Sequence, residues 1–177
     1  MNVSAFGTER RIPWRLIGWG GAAAPLAVPW IAGFPWTASD FIVMGMMFAI
    51  TGGTIELAFR SSTDWAYRLG ALAAVPTGFL TVWVNLAAGM IGSENNPYNL
   101  WFGGVLAIAI AGSLLSRSST AVAGTMILAA AAQAAVSIVG LGTDMRGGIY
   151  SLAFAALWLL SAGLFGAAAR QSSARMP

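Results

Sequence analysis

Apolar residues run along this chain in six long blocks, and the polar residues collect between them. The blocks cover roughly 15–33, 38–59, 67–91, 100–116, 121–140 and 149–169. Most hold about 20 residues, which at about 1.5 Å of helical rise per residue crosses about 30 Å of hydrocarbon. The pattern predicts an all-α polytopic membrane protein, a bundle of six transmembrane helices. Only short connections remain between the blocks, so residues 1–177 make one transmembrane domain.

Local signals mark the helix ends. Thr37-Ala38-Ser39-Asp40 reads as a capping box opening the second span, and Ser62-Thr63-Asp64 does the same for the third. Gly92 reads as the cap that ends the third span, and Asn96-Pro97 as the turn that starts the fourth. Pro25 and Pro29 should kink the first span. That span follows Arg10 and Arg11 as a secretory signal would, but its apolar run is longer than a usual signal core and lacks a clean A-x-A cleavage site. Trp14, Trp30, Trp36, Trp65 and Trp101 fall near block ends, where an amphipathic ring prefers the membrane interface, while Trp83 and Trp158 fall deeper.

Charge fixes an orientation. All nine basic residues are arginines. Counting spans from an inside N-terminus puts Arg10, Arg11, Arg15, Arg60, Arg68, Arg117, Arg170 and Arg175 on one side and leaves Arg146 alone on the other. Basic flanks resist translocation, so the arginine-rich side is cytoplasmic and both termini lie there. With 58% hydrophobic and 8% charged residues, the chain cannot leave its surface in water. The net charge of +3 is spread singly over span ends, which speaks for lipid contacts and against nucleic acid.

Missing residue types exclude more chemistry than the present ones suggest. The chain has no His and no Cys, and its basic residues include no Lys. Ordinary zinc, haem and iron-sulfur ligation, a Cys or His-activated nucleophile, disulfides and Schiff bases are all excluded. No cofactor is expected. No two carboxylates are placed to share a substrate, so an enzyme is not expected either.

Two polar groups of residues remain as candidate sites. On the cytoplasmic side, Glu56 lies about one turn from the end of the second span, with Arg60 four positions later on the same face and Arg68 across a short loop. A lone carboxylate is disfavoured in hydrocarbon, so Glu56 should pair with one of these arginines, locking the second span to the third. On the outer side, Thr77, Thr81, Asn85 and Gly89 share one face of the third span, and Gln133 of the fifth lies at a similar depth. Asn85 should point into the bundle, where an Asn85–Gln133 pair would act as interhelical glue. Ser93, Glu94, Asn95, Asn96 and Asn99 gather oxygen atoms in one loop, with Asp40 and Asp144 on others. Such a set suits an ordered turn or, less well, a hard cation.

Small residues at spacing four supply the packing logic, because helices in lipid associate by close approach. These are Gly45, Ala49 and Gly53; Gly103, Ala107 and Ala111; and Ala162 and Gly166. Thr125, Ala129, Gln133 and Ser137 form a similar stripe on the fifth span. Each stripe reads as a bundle seam.

Trp83-Val84-Asn85-Leu86-Ala87-Ala88-Gly89-Met90-Ile91-Gly92-Ser93-Glu94-Asn95-Asn96-Pro97, with Gly53-Thr54-Ile55-Glu56-Leu57-Ala58-Phe59-Arg60 and Ala66-Tyr67-Arg68 before it, resembles a group of small, uncharacterised bacterial multi-pass membrane proteins. The similarity covers roughly 37–111. It implies a bacterial origin, hence the inner (cytoplasmic) membrane for a helical bundle, and it brings no activity and no catalytic residue. The expectation is a non-catalytic membrane subunit or assembly partner of another membrane protein or of its own copies. The alternative is a small transporter or channel for a proton, ion or small solute, which would need a water-filled path from Glu56 to the Asn85 and Gln133 level. Pigment or lipid binding through carboxamides or carbonyls also stays open.

Overall fold

The protein is described by a computed structural model covering residues 14–174, in which six α-helices and one short 3-10 helix follow one another without a strand among the described residues. They are α1 (Trp14–Ile31), α2 (Ala38–Ser61), α3 (Trp65–Ala87), the 3-10 turn Pro97–Leu100, α4 (Trp101–Leu115), α5 (Ser119–Gly140) and α6 (Met145–Ala174). Arg10, Arg11 and Arg175 lie outside the described residues. Five elements are long and apolar enough to cross a membrane: α2, α3, the 3-10 turn with α4, α5 and α6. The 18-residue α1, with Pro25 and Pro29 inside it, is not among them.

The chain divides inside α2 into two units, Met1–Gly52 and Gly53–Pro177. In the first, the chain leaves α1 through Gly33, whose φ of 67° is a conformation that favours glycine. Phe34 N–H then donates to the Pro29 carbonyl at 2.9 Å. Half of the capping box expected at α2 forms: Asp40 Oδ2 accepts from both the backbone N–H and the hydroxyl of Thr37, each at 2.7 Å, while Asp40 N–H donates to the Thr37 carbonyl at 3.1 Å and not to its side chain. Trp36 and Phe41 meet edge to face at 5.2 Å.

The second unit is built on α6, which packs against α5 on one side and α3 on the other, while α5 packs on α4. Connections are short, so neighbours run antiparallel. The cross-helix contacts count in opposite directions accordingly. Ser161 of α6 donates to the Gly70 carbonyl of α3 at 2.9 Å, and Trp158 lies opposite Gly78. Close approach, as expected for helices in lipid, occurs at small residues. A Cβ on Gly70 would sit 3.1 Å from the Phe165 ring, and one on Gly112 would collide with Thr125. The α5 stripe is a seam: Thr125, Ala129, Gln133 and Ser137 are all buried. Ala162 is buried on α6 as well. The α4 stripe turns the other way, with Gly103, Ala107 and Ala111 exposed; the buried face of α4 is Phe102, Val105 and Ala109. None of the residues of α2 is buried.

Three boundaries differ from the apolar blocks by four residues or more. Helix α3 stops at Ala87, four residues before its block ends, and the Val84 carbonyl accepts from both Ala88 and Gly89 at 3.0 Å. The residues that follow stay apolar because they are buried as loop: Met90 is 5% and Ile91 0% exposed. Helix α6 begins at Met145, four residues early, because Asp144 Oδ1 caps it by accepting from Gly147 N–H at 3.0 Å. It also runs on through Arg170 to Ala174, since nothing in Arg170-Gln171-Ser172-Ser173 breaks a helix.

Candidate functional site

At the end of the second unit that carries the α2–α3 connection, Arg60 Nη2 donates to Glu56 Oε1 at 2.7 Å, one turn apart on α2. Arg68 takes a different role from the one expected. Its Nε donates to the Ser62 carbonyl at 2.9 Å and its Nη2 to the Phe59 carbonyl at 3.1 Å, so a cation on α3 caps the unpaired carbonyls at the end of α2. The guanidinium also lies 5.1 Å from the Phe59 ring centre and 5.3 Å from that of Trp65. The ion pair is thus internal to α2, and Arg68 ties α2 to α3 through main chain. Asp64 caps α3 as its sequence predicts, accepting from Tyr67 N–H at 3.1 Å.

At the opposite end the residues 88–100 are tied into a knot around one side chain. Asn99 Oδ1 accepts from the N–H groups of Met90 at 3.0 Å and Ile91 at 2.9 Å, and its Nδ2 donates to the carbonyls of Ser93 at 2.8 Å and Ile91 at 3.3 Å. Four main-chain groups are satisfied by one carboxamide. Gly89 and Gly92 take φ values of 78° and 67°, and a Cβ on Gly89 would sit 2.6 Å from the Ser93 carbonyl. Asp144 closes the knot from the α5–α6 connection, its Oδ2 accepting from Gly92 N–H at 3.0 Å. The amides of Gly147 and then Gly92 stabilise the ionised carboxylate and hold its pKa below the usual value. Beneath this lid Ile91 fills the space over Gly140, where a Cβ would overlap it.

The oxygen atoms of this loop are spent on folding it. Asn96 Oδ1 caps the 3-10 turn by accepting from Tyr98 N–H at 3.0 Å, and the exposed Glu94 accepts from Asn95 Nδ2 at 3.2 Å. Among the described residues no group of three His, Cys, Asp or Glu is gathered for a metal ion. Asn99 and Asp144 are the two residues whose importance the sequence understated. The signal was present as two glycines followed by an Asn-rich turn, but nothing in it pointed across 52 residues to Asp144.

In the bundle interior Gln133 and Asn85 do not pair with each other. Gln133 Nε2 donates to Ser151 Oγ at 2.9 Å and to the Ser151 carbonyl at 3.3 Å; Ser137 Oγ lies 2.7 Å from Ser151 Oγ and from the Gln133 carbonyl. All three residues are fully buried and pin α5 to α6. Asn85 Nδ2 donates to the Thr81 carbonyl of its own helix at 2.7 Å, continuing a column in which Thr81 donates to Thr77 and Thr77 to Ala73. The remaining oxygens, Asn85 Oδ1 and Gln133 Oε1, are buried without a hydrogen-bond partner, as is Trp158 Nε1. A small apolar cavity of about 120 Å³ opens near the Asn99 knot between Tyr98, Trp101, Ala135, Val136 and Val139.

Compared with protein-family models, curated proteins and solved structures, the chain matches none.

Proposed function

We propose that the chain is a non-catalytic integral membrane subunit of a bacterial inner membrane, assembling with another membrane protein or with copies of itself. One observation carries this reading. The face of α4 bearing Gly103, Ala107 and Ala111 is exposed, and no atom lies within 4 Å of a Cβ placed on Gly103 or Gly104. A stripe of small residues gains little from acyl chains but lets another helix approach closely. Three ionisable side chains of the two polar clusters are by contrast occupied: Arg60 with Glu56, Arg68 with carbonyls, Asp144 with amides. A conducting role has less support, because Trp158 and Phe165, 2% and 4% exposed, fill the interior between the Asn85 level and Arg68.

Six crossings with both termini in the cytoplasm fit the arginines best. Arg60, Arg68, Arg117 and Arg170 lie at or just beyond the ends of α2, α3, α4 and α6 that antiparallel packing brings to one side, with Arg146 at the other. Were α1 not to cross, Arg10, Arg11 and Arg15 would join Arg146 outside, and the bias would be lost.

The chain contains no cysteine, so a single Ala107→Cys gives an unambiguous handle. Thiol crosslinking in native membranes should yield one adduct of fixed mass through this position and none through Ala153→Cys, an exposed position on α6. Monomer alone, together with an unchanged assembly state in Gly103→Leu, would remove the proposal.

A further inference from the structure

Between α4 and α5 the close packing holds at one end only. Gly112 of α4 meets Thr125 of α5 so closely that a Cβ would overlap its side chain. These helices run antiparallel, so eleven residues back along α4 and eleven onward along α5 bring Trp101 beside Val136, and Tyr98 beside Val139 three residues later. Trp101 stands about three turns before Gly112 on the same face of α4, the one turned to α5. There the two elements do not close on each other, and the cavity of about 120 Å³ lies between them, lined by Tyr98, Trp101, Ala135, Val136 and Val139.

The rim of this cavity is exposed, Trp101 at 66% and Val139 at 59%, with Ala135 exposed beside them. Every lining residue belongs to one of two elements long and apolar enough to cross a membrane, Pro97–Leu115 and Ser119–Gly140. The groove therefore opens toward hydrocarbon, close to the ends of both spans. Water does not suit it, because a buried water needs two to four polar partners and the lining is almost wholly apolar. A helix docked on the small residues of α4 would not fill it either, since Gly103, Ala107 and Ala111 lie about a third of a turn round the helix from Trp101. With each water taking about 30 Å³ in the liquid, the cavity equals about four waters, room for a short run of methylene groups and too little for a helix. An empty groove forfeits dispersion contacts along its walls, and a flexible hydrocarbon chain recovers them without leaving an apolar medium.

We propose that this groove holds a fatty acyl chain of a membrane phospholipid, seated by the carbons nearest its glycerol, so that this lipid stays at the α4–α5 junction while its neighbours exchange. The inference rests on reading α4 and α5 as membrane spans, and the experiment separates the two.

The full chain, extracted in mild detergent and washed to deplete lipid, is weighed intact by native mass spectrometry. Wild type should carry a retained phospholipid. Ala135→Phe, which fills the groove, should lose that adduct, and Val139→Phe at the rim gives the same loss should the first variant fail to fold. Ala131→Phe, exposed on α5 one turn away and outside the lining, should keep it. A wild type without retained lipid overturns the proposal, as does an adduct undiminished in Ala135→Phe or Val139→Phe. A second copy of the chain, bound in place of lipid and lost in Ala135→Phe, would assign the groove to a neighbouring side chain and overturn it equally. Alkaline carbonate extraction of the same membranes tests the premise by itself: a chain released by carbonate is not integral and both readings fall, whereas a chain that stays in the membrane and carries no lipid removes the acyl site alone.

Discussion

Replacing Asn99 by alanine should unfasten the knot at residues 88–100. The side chain accepts from two N–H groups and donates to two carbonyls, and the residues whose amides it holds, Met90 and Ile91, are buried. A net hydrogen bond contributes about 0.5–1.5 kcal/mol, but a buried donor left unpaired costs about 1–3 kcal/mol. Two such donors set an upper range of about 2–6 kcal/mol. Water entering from the exposed neighbours Gly92 and Ser93 would recover part of that, so a loss of about 2–4 kcal/mol is expected. The assay is reversible unfolding in mixed micelles, with limited proteolysis between 88 and 96 as the local readout. Asn95→Ala, in the same loop but exposed, should stay within about 0.5 kcal/mol. A second variant separates hydrogen bonding from shape. Asn99→Asp keeps both acceptor functions but turns a carboxylate oxygen toward the Ser93 carbonyl, so its damage should ease as pH falls and the acid protonates. If Asn99→Ala unfolds like Asn95→Ala, or Asn99→Asp shows no pH dependence, the knot does not hold the loop as described.

The remaining predictions concern the lid, its acid and the end that carries the α2–α3 connection. Gly140→Ala should destabilise by about 1–3 kcal/mol through overlap with Ile91, and Ile91→Val should partly restore it; additive effects in the double variant would contradict the overlap. Asp144 has a lowered folded pKa, so its contribution is fully present above the usual carboxylate value of 3.8 and is lost as pH falls through the lower folded value. Amide exchange at Gly92 should therefore quicken in acid in the wild type and be pH-flat in Asp144→Asn, apart from intrinsic exchange; matching profiles would refute this. Glu56→Gln should change stability by no more than about 1 kcal/mol, because the pair joins a half-buried carboxylate to an exposed guanidinium on the same helix. Arg68→Ala should cost more than Glu56→Gln, because two carbonyls at the end of α2 lose their donor; the reverse order in thermal unfolding would show that the ion pair, not the carbonyl cap, holds this end.

What could be read beforehand was whatever depends on local spacing. Glu56 and Arg60 are four apart on a helix, so their pairing was legible, as were the Asp64 cap and the buried stripe of α5. Features that depend on direction or on main-chain partners were not. Arg68 faced a visible carboxylate in sequence but bonded carbonyls, which every residue carries and no residue type announces. The end of α3 was misplaced because hydropathy reports burial and not conformation: Met90 and Ile91 are as apolar in a buried loop as in a helix. Spacing also revealed the Gly103-Ala107-Ala111 stripe without saying which way α4 would turn it. The partner of Gln133 was hidden for a related reason, since Ser151 is one serine among many until α6 is placed beside α5.

How the helices are fastened bears on where assembly would occur. Interior hydroxyls mostly return their hydrogens to their own helix, as Thr77, Thr81 and Thr125 do, so polar residues in a helix need not join it to another. Side-chain hydrogen bonds between the packed helices join α5 to α6 at Ser151, and α6 to α3 at Ser161. Helix α4 is held by other means. Asn99 organises the loop before its N-terminal end, and Gly112 lets Thr125 press close near its C-terminal end. Both anchors precede or follow the exposed small residues, so Gly103, Ala107 and Ala111 are presented by a helix fixed at two points. A target held in this way costs an incoming helix less ordering than a mobile one would. Loosening either anchor should therefore weaken assembly through α4 without touching the stripe itself, which separates a preorganised docking face from small residues that merely happen to meet lipid.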